Sequence, residues 1–82
     1  MKRVIEKFIE ENIESDVKSF ETIDDLYKRY LCFCEVNGLE ALTKRMLNNR
    51  LSKLNVGVRH KRMRNYSLEY DRQGVKLLPC KY

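Results

Sequence analysis

Residues 42–68 read LTKRMLNNRLSKLNVGVRHKRMRNYSL, with eight Lys or Arg, one His and no acid. The hydrophobic period changes once inside this stretch. Leu47, Leu51 and Leu54 recur at helical spacing, which predicts a helix over about 43–54 with Thr43 as its N-cap. Beyond Leu54 the period falls to two. Val56 and Val58 alternate with Gly57 and Arg59, then Tyr66, Leu68 and Tyr70 with Ser67 and Glu69. That alternation predicts a β-hairpin over about 56–70. Its tip is expected within HKRMR, residues 60–64. The alternative places the tip in DRQG, residues 71–74, at the expense of an unusually long first strand. In the first version DRQG is a second turn, and residues 75–79 are an extra strand that Pro79 ends.

Two more helices precede this unit. Val4, Ile5, Phe8, Ile9 and Ile13 share one side of a helix over about 3–14, with Lys7, Glu10, Glu11 and Glu14 on the other. Those acids read as a solvated face. SDVKSF, residues 15–20, is a connector with room for a brief strand. Thr22 then reads as an N-cap, with Asp24 and Asp25 in the first turn, where the helix dipole favours negative charge. The helix is expected over about 22–37, stopping at Asn37-Gly38 with Gly38 in the left-handed position. Ile23, Leu26, Tyr27, Tyr30, Leu31, Phe33 and Cys34 cover its apolar arc, and Cys32 falls outside it.

Composition bounds what such a chain can do. Its 82 residues make one small domain, and a hydrophobic fraction of 43% suffices for a core. No apolar run is long enough to span a membrane, and the N-terminus lacks the apolar region of a secretory signal. Three cysteines, Cys32, Cys34 and Cys80, cannot all pair within one chain, which fits a reducing cytoplasm. Cys32 and Cys34 lie about 200° apart around a helix, so a shared zinc site is not expected, and no cofactor is implied. No Ser or Cys has an evident His base, so catalysis has no visible support. The chain has neither a Gly-rich phosphate loop nor room for an ATPase.

Charge is segregated. Residues 1–40 hold six Lys or Arg against ten Asp or Glu, a net of −4; residues 41–82 hold eleven against two, a net of +9. Such a division makes one face positive and suited to a polyanion, against the plainer reading of a solvated basic surface. Three helices and then a basic hairpin give an α+β fold on the winged helix-turn-helix plan, whose third helix enters the major groove of DNA. Arg45, Asn48, Asn49 and Ser52 are expected to project from that helix, Arg45 toward guanine and either Asn toward adenine. Lys44, Arg50 and Lys53, with Thr43 at the helix start, are expected at phosphate. On the hairpin, Arg59, Lys61, Arg62 and Arg64 would follow phosphates; His60 would join them when protonated, its plainer reading being a surface histidine. Tyr66 and Tyr70 are expected to anchor the hairpin to the core.

The stretches FIEE (residues 8–11), LYKRYLCFCEVNG (26–38) and LTKRMLNNRL (42–51), followed by a basic hairpin ending near Tyr66, resemble one known domain. It is the C-terminal winged-helix domain of phage- and plasmid-type DNA primase–helicases. The likeness covers about residues 4–70 by pattern matching. The hairpin departs from it in lacking a Gly-rich tip, and residues 71–82 extend past it. The resemblance implies a part in replication initiation by a mobile element. The domain would bind duplex or forked DNA and hold a helicase module of the parent chain there, with neither membrane nor small-molecule substrate involved. It also implies a domain of a longer initiator, the other reading being a free-standing small protein. A docking winged helix is the alternative function, the acidic side of the first helix meeting a basic partner. Single-strand or fork binding requires exposed aromatics, for which Tyr66, Tyr70 and Tyr82 are the candidates.

Overall fold

A computed structural model describes residues 4–64 and 66–82, without the side chains of Arg62, Arg64, Ser67, Leu68 and Glu69. Six elements follow one another: α1 (Val4–Asn12), β1 (Ile13–Thr22), α2 (Ile23–Val36), α3 (Lys44–Lys53), β2 (Val58–Arg64) and β3 (Ser67–Leu77). Among the described residues they form an α+β domain of three helices and a three-stranded antiparallel sheet, with β3 in the middle of the order β1-β3-β2.

The two longer helices start and stop where their sequences dictate. Thr22 Oγ1 accepts the amide of Asp25 at 3.2 Å, and Thr43 Oγ1 accepts that of Met46 at 3.3 Å. Each threonine thereby satisfies one of the first-turn donors that a helix leaves open. At the far ends both helices exit through a left-handed residue, Gly38 (φ 64°) after α2 and Asn55 (φ 57°) after α3. The amides of Gly38 and Leu39 return to Glu35 and Cys34, and those of Asn55 and Val56 return to Ser52 and Leu51. These are paired Schellman closures, and the apolar residue that completes each, Leu39 or Val56, packs on the core.

Phe8, Leu26, Tyr30, Phe33, Cys34, Leu47, Leu51 and Val75 form the buried centre. Phe8 meets the Tyr30 ring edge-on at 5.4 Å. Two hydroxyls fix α3 against α2. Tyr30 Oη accepts the Leu42 amide at 3.1 Å, and Tyr27 Oη donates to the Leu42 carbonyl at 2.9 Å. Burial raises the pKa of the Tyr30 hydroxyl, which keeps it neutral in that role. A third tie is Asn12, which is buried. Its amide donates to the Phe8 carbonyl and to Tyr82 Oη, at 3.0 and 2.8 Å. Arg29 meanwhile donates to the Leu78 carbonyl at 2.7 Å. The last five residues are thus folded back onto α1 and α2, with the Tyr82 ring against Phe33.

The expected connector at 15–20 is part of a strand. β1 pairs with β3 at Ile13–Ser15 against Val75–Leu77, and again at Phe20–Thr22 against Asp71–Gln73. Between these, Asp16–Ser19 lie opposite Gly74 alone, a wide bulge. Asp16 closes it by accepting the Lys18 amide and the Ser19 hydroxyl, both at 3.0 Å; the Lys18 bond first, then the Ser19 one, lower its pKa. α1 accordingly ends at Asn12, two residues before the expected end.

The hairpin also differs from its expected register. Arg64 pairs with Ser67, so the chain reverses between them and not within 60–64. DRQG is no turn: Asp71 and Arg72 are buried in mid-strand. Residues 75–77 continue β3 along β1, so no separate strand follows.

Candidate nucleic-acid interface

The position of α3 depends on one buried cation. The Arg72 guanidinium, 1% exposed, points from the centre of the sheet at the last turns of α3. Its Nε donates to the Val56 carbonyl at 2.6 Å, and Nη2 donates to the Gly57 carbonyl at 3.2 Å. Nη1 donates to Asn48 Oδ1 at 2.7 Å and to Ser52 Oγ at 3.1 Å. A planar fork with five donors can reach all four acceptors, which an ammonium cannot. Burial lowers the pKa of the group, and the nearby charge of Arg59 lowers it further, but arginine stays protonated in proteins. The result is a neutral-acceptor cage that locks helix, linker and sheet together.

Gly57 makes this approach feasible. Its φ is 70°, and a Cβ there would lie 2.8 Å from the Gln73 carbonyl oxygen and 2.9 Å from Val75 Cγ1. Only a residue without a side chain lets the linker lie flat on β3.

Around this joint the outer faces of α3 and the ribbon enclose a groove of about 450 Å³. Lys44, Arg45, Asn48 and Asn49 line it from α3, Arg59 and Tyr70 from the ribbon, and Ile23 from α2. Lys44 Nζ is paired with Asp24, on a surface exposed enough for that pair to be worth little. Arg45 and Asn49 are exposed. The Arg59 guanidinium lies 5.6 Å from the centre of the Tyr70 ring, a cation–π contact that holds it over the groove. Lys61, exposed, pairs in register with Tyr70 and so shares the face of Arg59.

The expected site residues therefore divide. Thr43 caps α3, and Lys44, Arg45, Asn49, Arg59 and Lys61 surround one groove or its rim. Asn48 does not project as expected: it is 7% exposed and its side-chain oxygen is taken by Arg72. The reason is a contact made through the fold, which a helical wheel of α3 alone does not contain. Ser52 is exposed but its hydroxyl serves the same cage. Arg50 and Lys53 lie elsewhere, along a second groove with Val4, Ile5, Leu42 and Leu54. His60 is exposed on β2 on the opposite face from Arg59. The side chains of Arg62 and Arg64 lie outside the described residues. Tyr70 is half-buried against the core, whereas Tyr66 is fully exposed and so is no anchor to the core.

Sequence reasoning missed Arg72. The signal was present: carrying the inward alternation of Leu68 and Tyr70 one step further places Arg72 on the same face.

No curated protein and no solved structure matches the chain. The family described as poxvirus D5 protein-like matches residues 4–75. That span takes in every element from α1 to the Gly57 joint, both faces of the groove and the Arg72 cage. The chain belongs to the poxvirus D5 protein-like family, whose domains are associated with primase–helicases.

Proposed function

We propose that this domain is a winged helix-turn-helix that binds duplex DNA on behalf of a viral or mobile-element replication initiator. In this reading α2 and α3 are the helix-turn-helix. The exposed side of α3 enters the major groove, and the β2–β3 ribbon is the wing that follows the adjacent backbone. Arg45 and Asn49 are the base readers, Arg45 suited to guanine O6 and N7 and Asn49 to adenine N6 and N7. Lys44, Arg59 and Lys61 meet phosphates and set the register. The domain binds and does not itself catalyse; its partner in cis is a helicase module, which it holds on the DNA.

The carrying observation is the groove itself. Cations from two consecutive elements, Lys44 and Arg45 on α3 and Arg59 on β2, border one concavity. The element order, the sheet order and the family's link to replication support the same reading.

The test is fluorescence polarisation with a labelled duplex at low salt. Reversing charge on the ribbon, Arg59→Glu with Lys61→Glu, is expected to weaken binding at least about tenfold on any sequence. Arg45→Ala is expected to change which sites are recovered from a randomised duplex pool. A ribbon-reversed variant that binds as tightly as the parent excludes the reading.

A docking role has one observation of its own. The second groove, about 230 Å³, exposes Val4 and Leu54 beside Arg50 and Lys53. If that groove holds the helicase module, Leu54→Asp abolishes co-purification of the module and leaves DNA affinity intact.

A further inference from the structure

The last pair between β1 and β3 is Thr22 with Asp71, while β2 and β3 remain paired out to Arg64 and Ser67. From Lys61–Tyr70 onward the ribbon therefore has only two strands. Four residue pairs carry it about 10–13 Å beyond the sheet. At its end stands Tyr66, fully exposed, with φ 64°. Met63 close by is 73% exposed. A left-handed backbone is uncommon for an aromatic residue, and asparagine or glycine fits such a turn better. Fully exposed, the ring offsets none of that by packing on the described residues. An aromatic ring and a thioether at the end of an arm that carries Arg59 and Lys61 behind them suit the face of a nucleobase.

We propose that Tyr66 stacks on the terminal base of a junction between duplex and single-stranded DNA while the groove grips the duplex behind it. The inference rests on the DNA-binding reading above and adds the kind of DNA. A continuous duplex hides its base faces, and prising a step apart costs stacking energy. At a junction the last base pair already presents an open face, so a single ring gains contact without that cost. Lys61 and Arg59, further back along the ribbon, lie where the phosphates of the duplex arm would run.

The experiment compares two DNAs of the same duplex sequence: a fork with two single-stranded arms, and a dumbbell whose ends are both closed by covalent aromatic caps stacked on the terminal base pairs, so that no base face is open. Parent, Tyr66→Phe and Tyr66→Ala are titrated by fluorescence polarisation. A fluorescent adenine analogue at the terminal pair of the fork reports stacking. Tyr66→Ala is expected to lose about five- to 150-fold on the fork and less than about twofold on the dumbbell. Tyr66→Phe keeps fork affinity, and the parent but not Tyr66→Ala quenches the analogue. Circular dichroism confirms that the exposed substitutions leave the fold intact. Equal fork binding by Tyr66→Ala and parent overturns this inference while leaving duplex binding standing. Equal losses on fork and dumbbell overturn it in favour of a wedge into continuous duplex. A parent that binds neither DNA at low salt removes both proposals.

Discussion

Asn48 and Asn49 are neighbours in sequence with opposite duties. Asn48 is one of four acceptors around Arg72, whereas Asn49 faces the groove. Asn48→Ala would leave a buried guanidinium short of a partner, a loss of about 1–3 kcal/mol. For a domain of this size that lowers the melting temperature by about 4–8 °C per kcal/mol. Asn49→Ala is expected to stay within about 0.5 kcal/mol in stability and to weaken DNA binding instead. Thermal denaturation by circular dichroism, paired with polarisation titrations, separates the two. An Asn48 variant as stable as the parent would remove the cage from its structural role. Arg72→Lys is expected to destabilise by a similar amount, since one ammonium cannot serve acceptors spread over α3 and the linker. The sequence shows that two adjacent asparagines on a basic helix need a reason. It does not show that one of them answers to a residue 24 positions away, because that residue sits in a stretch whose composition imitates a turn.

At the level of elements, the caps were legible because they are local. Thr22, Thr43 and Gly38 each act within four residues of themselves, and each is found where capping chemistry predicts. β1 was not legible. A strand interrupted by a four-residue bulge loses its period of two, and the bulge sits in the middle of SDVKSF, with Val17 turned to solvent. The register of β2 and β3 was hidden for a related reason. Gly74 and a charged pair mimic a turn, although the bulge on β1 is what Gly74 faces. The joints between elements can be tested with two glycines. At Gly38 (φ 64°) nothing lies within 4 Å of an added Cβ, so Gly38→Ala carries only the left-handed backbone penalty, about 1 kcal/mol. At Gly57 the same substitution adds a collision with the β3 backbone and is expected to destabilise by more. The linker also carries two acceptors of Arg72, so Gly57→Ala should lower DNA affinity together with stability, while Gly38→Ala lowers stability alone. Urea titrations beside binding titrations read both. Equal losses at the two sites would show that the linker is not held against β3.

Over the whole molecule, the segregation of charge along the chain is only partly a segregation in space. The basic half contributes Lys44, Arg45, Arg59 and Lys61 to one groove and its rim, but it sends Arg50 and Lys53 to the far side of α3 and buries Arg72. Net charge of +5 therefore overstates what a duplex would meet. This difference can be measured, because each neutralised phosphate adds about −0.9 to the slope of log affinity against log salt. Among the described residues three phosphate contacts, from Lys44, Arg59 and Lys61, give a slope of about −2.7, a loss of roughly 40-fold between 50 and 200 mM salt. Engagement of Arg50 and Lys53 as well would steepen it to about −4.5. Neutralising that pair, Arg50→Gln with Lys53→Gln, is expected to leave the slope unchanged and shift all affinities slightly through the longer-range field. Neutralising Lys44 and Arg59 instead should flatten the slope by about two contacts, to near −0.9. If the two double variants flatten it equally, DNA wraps around α3 onto both grooves, and the division of the basic face drawn here is wrong.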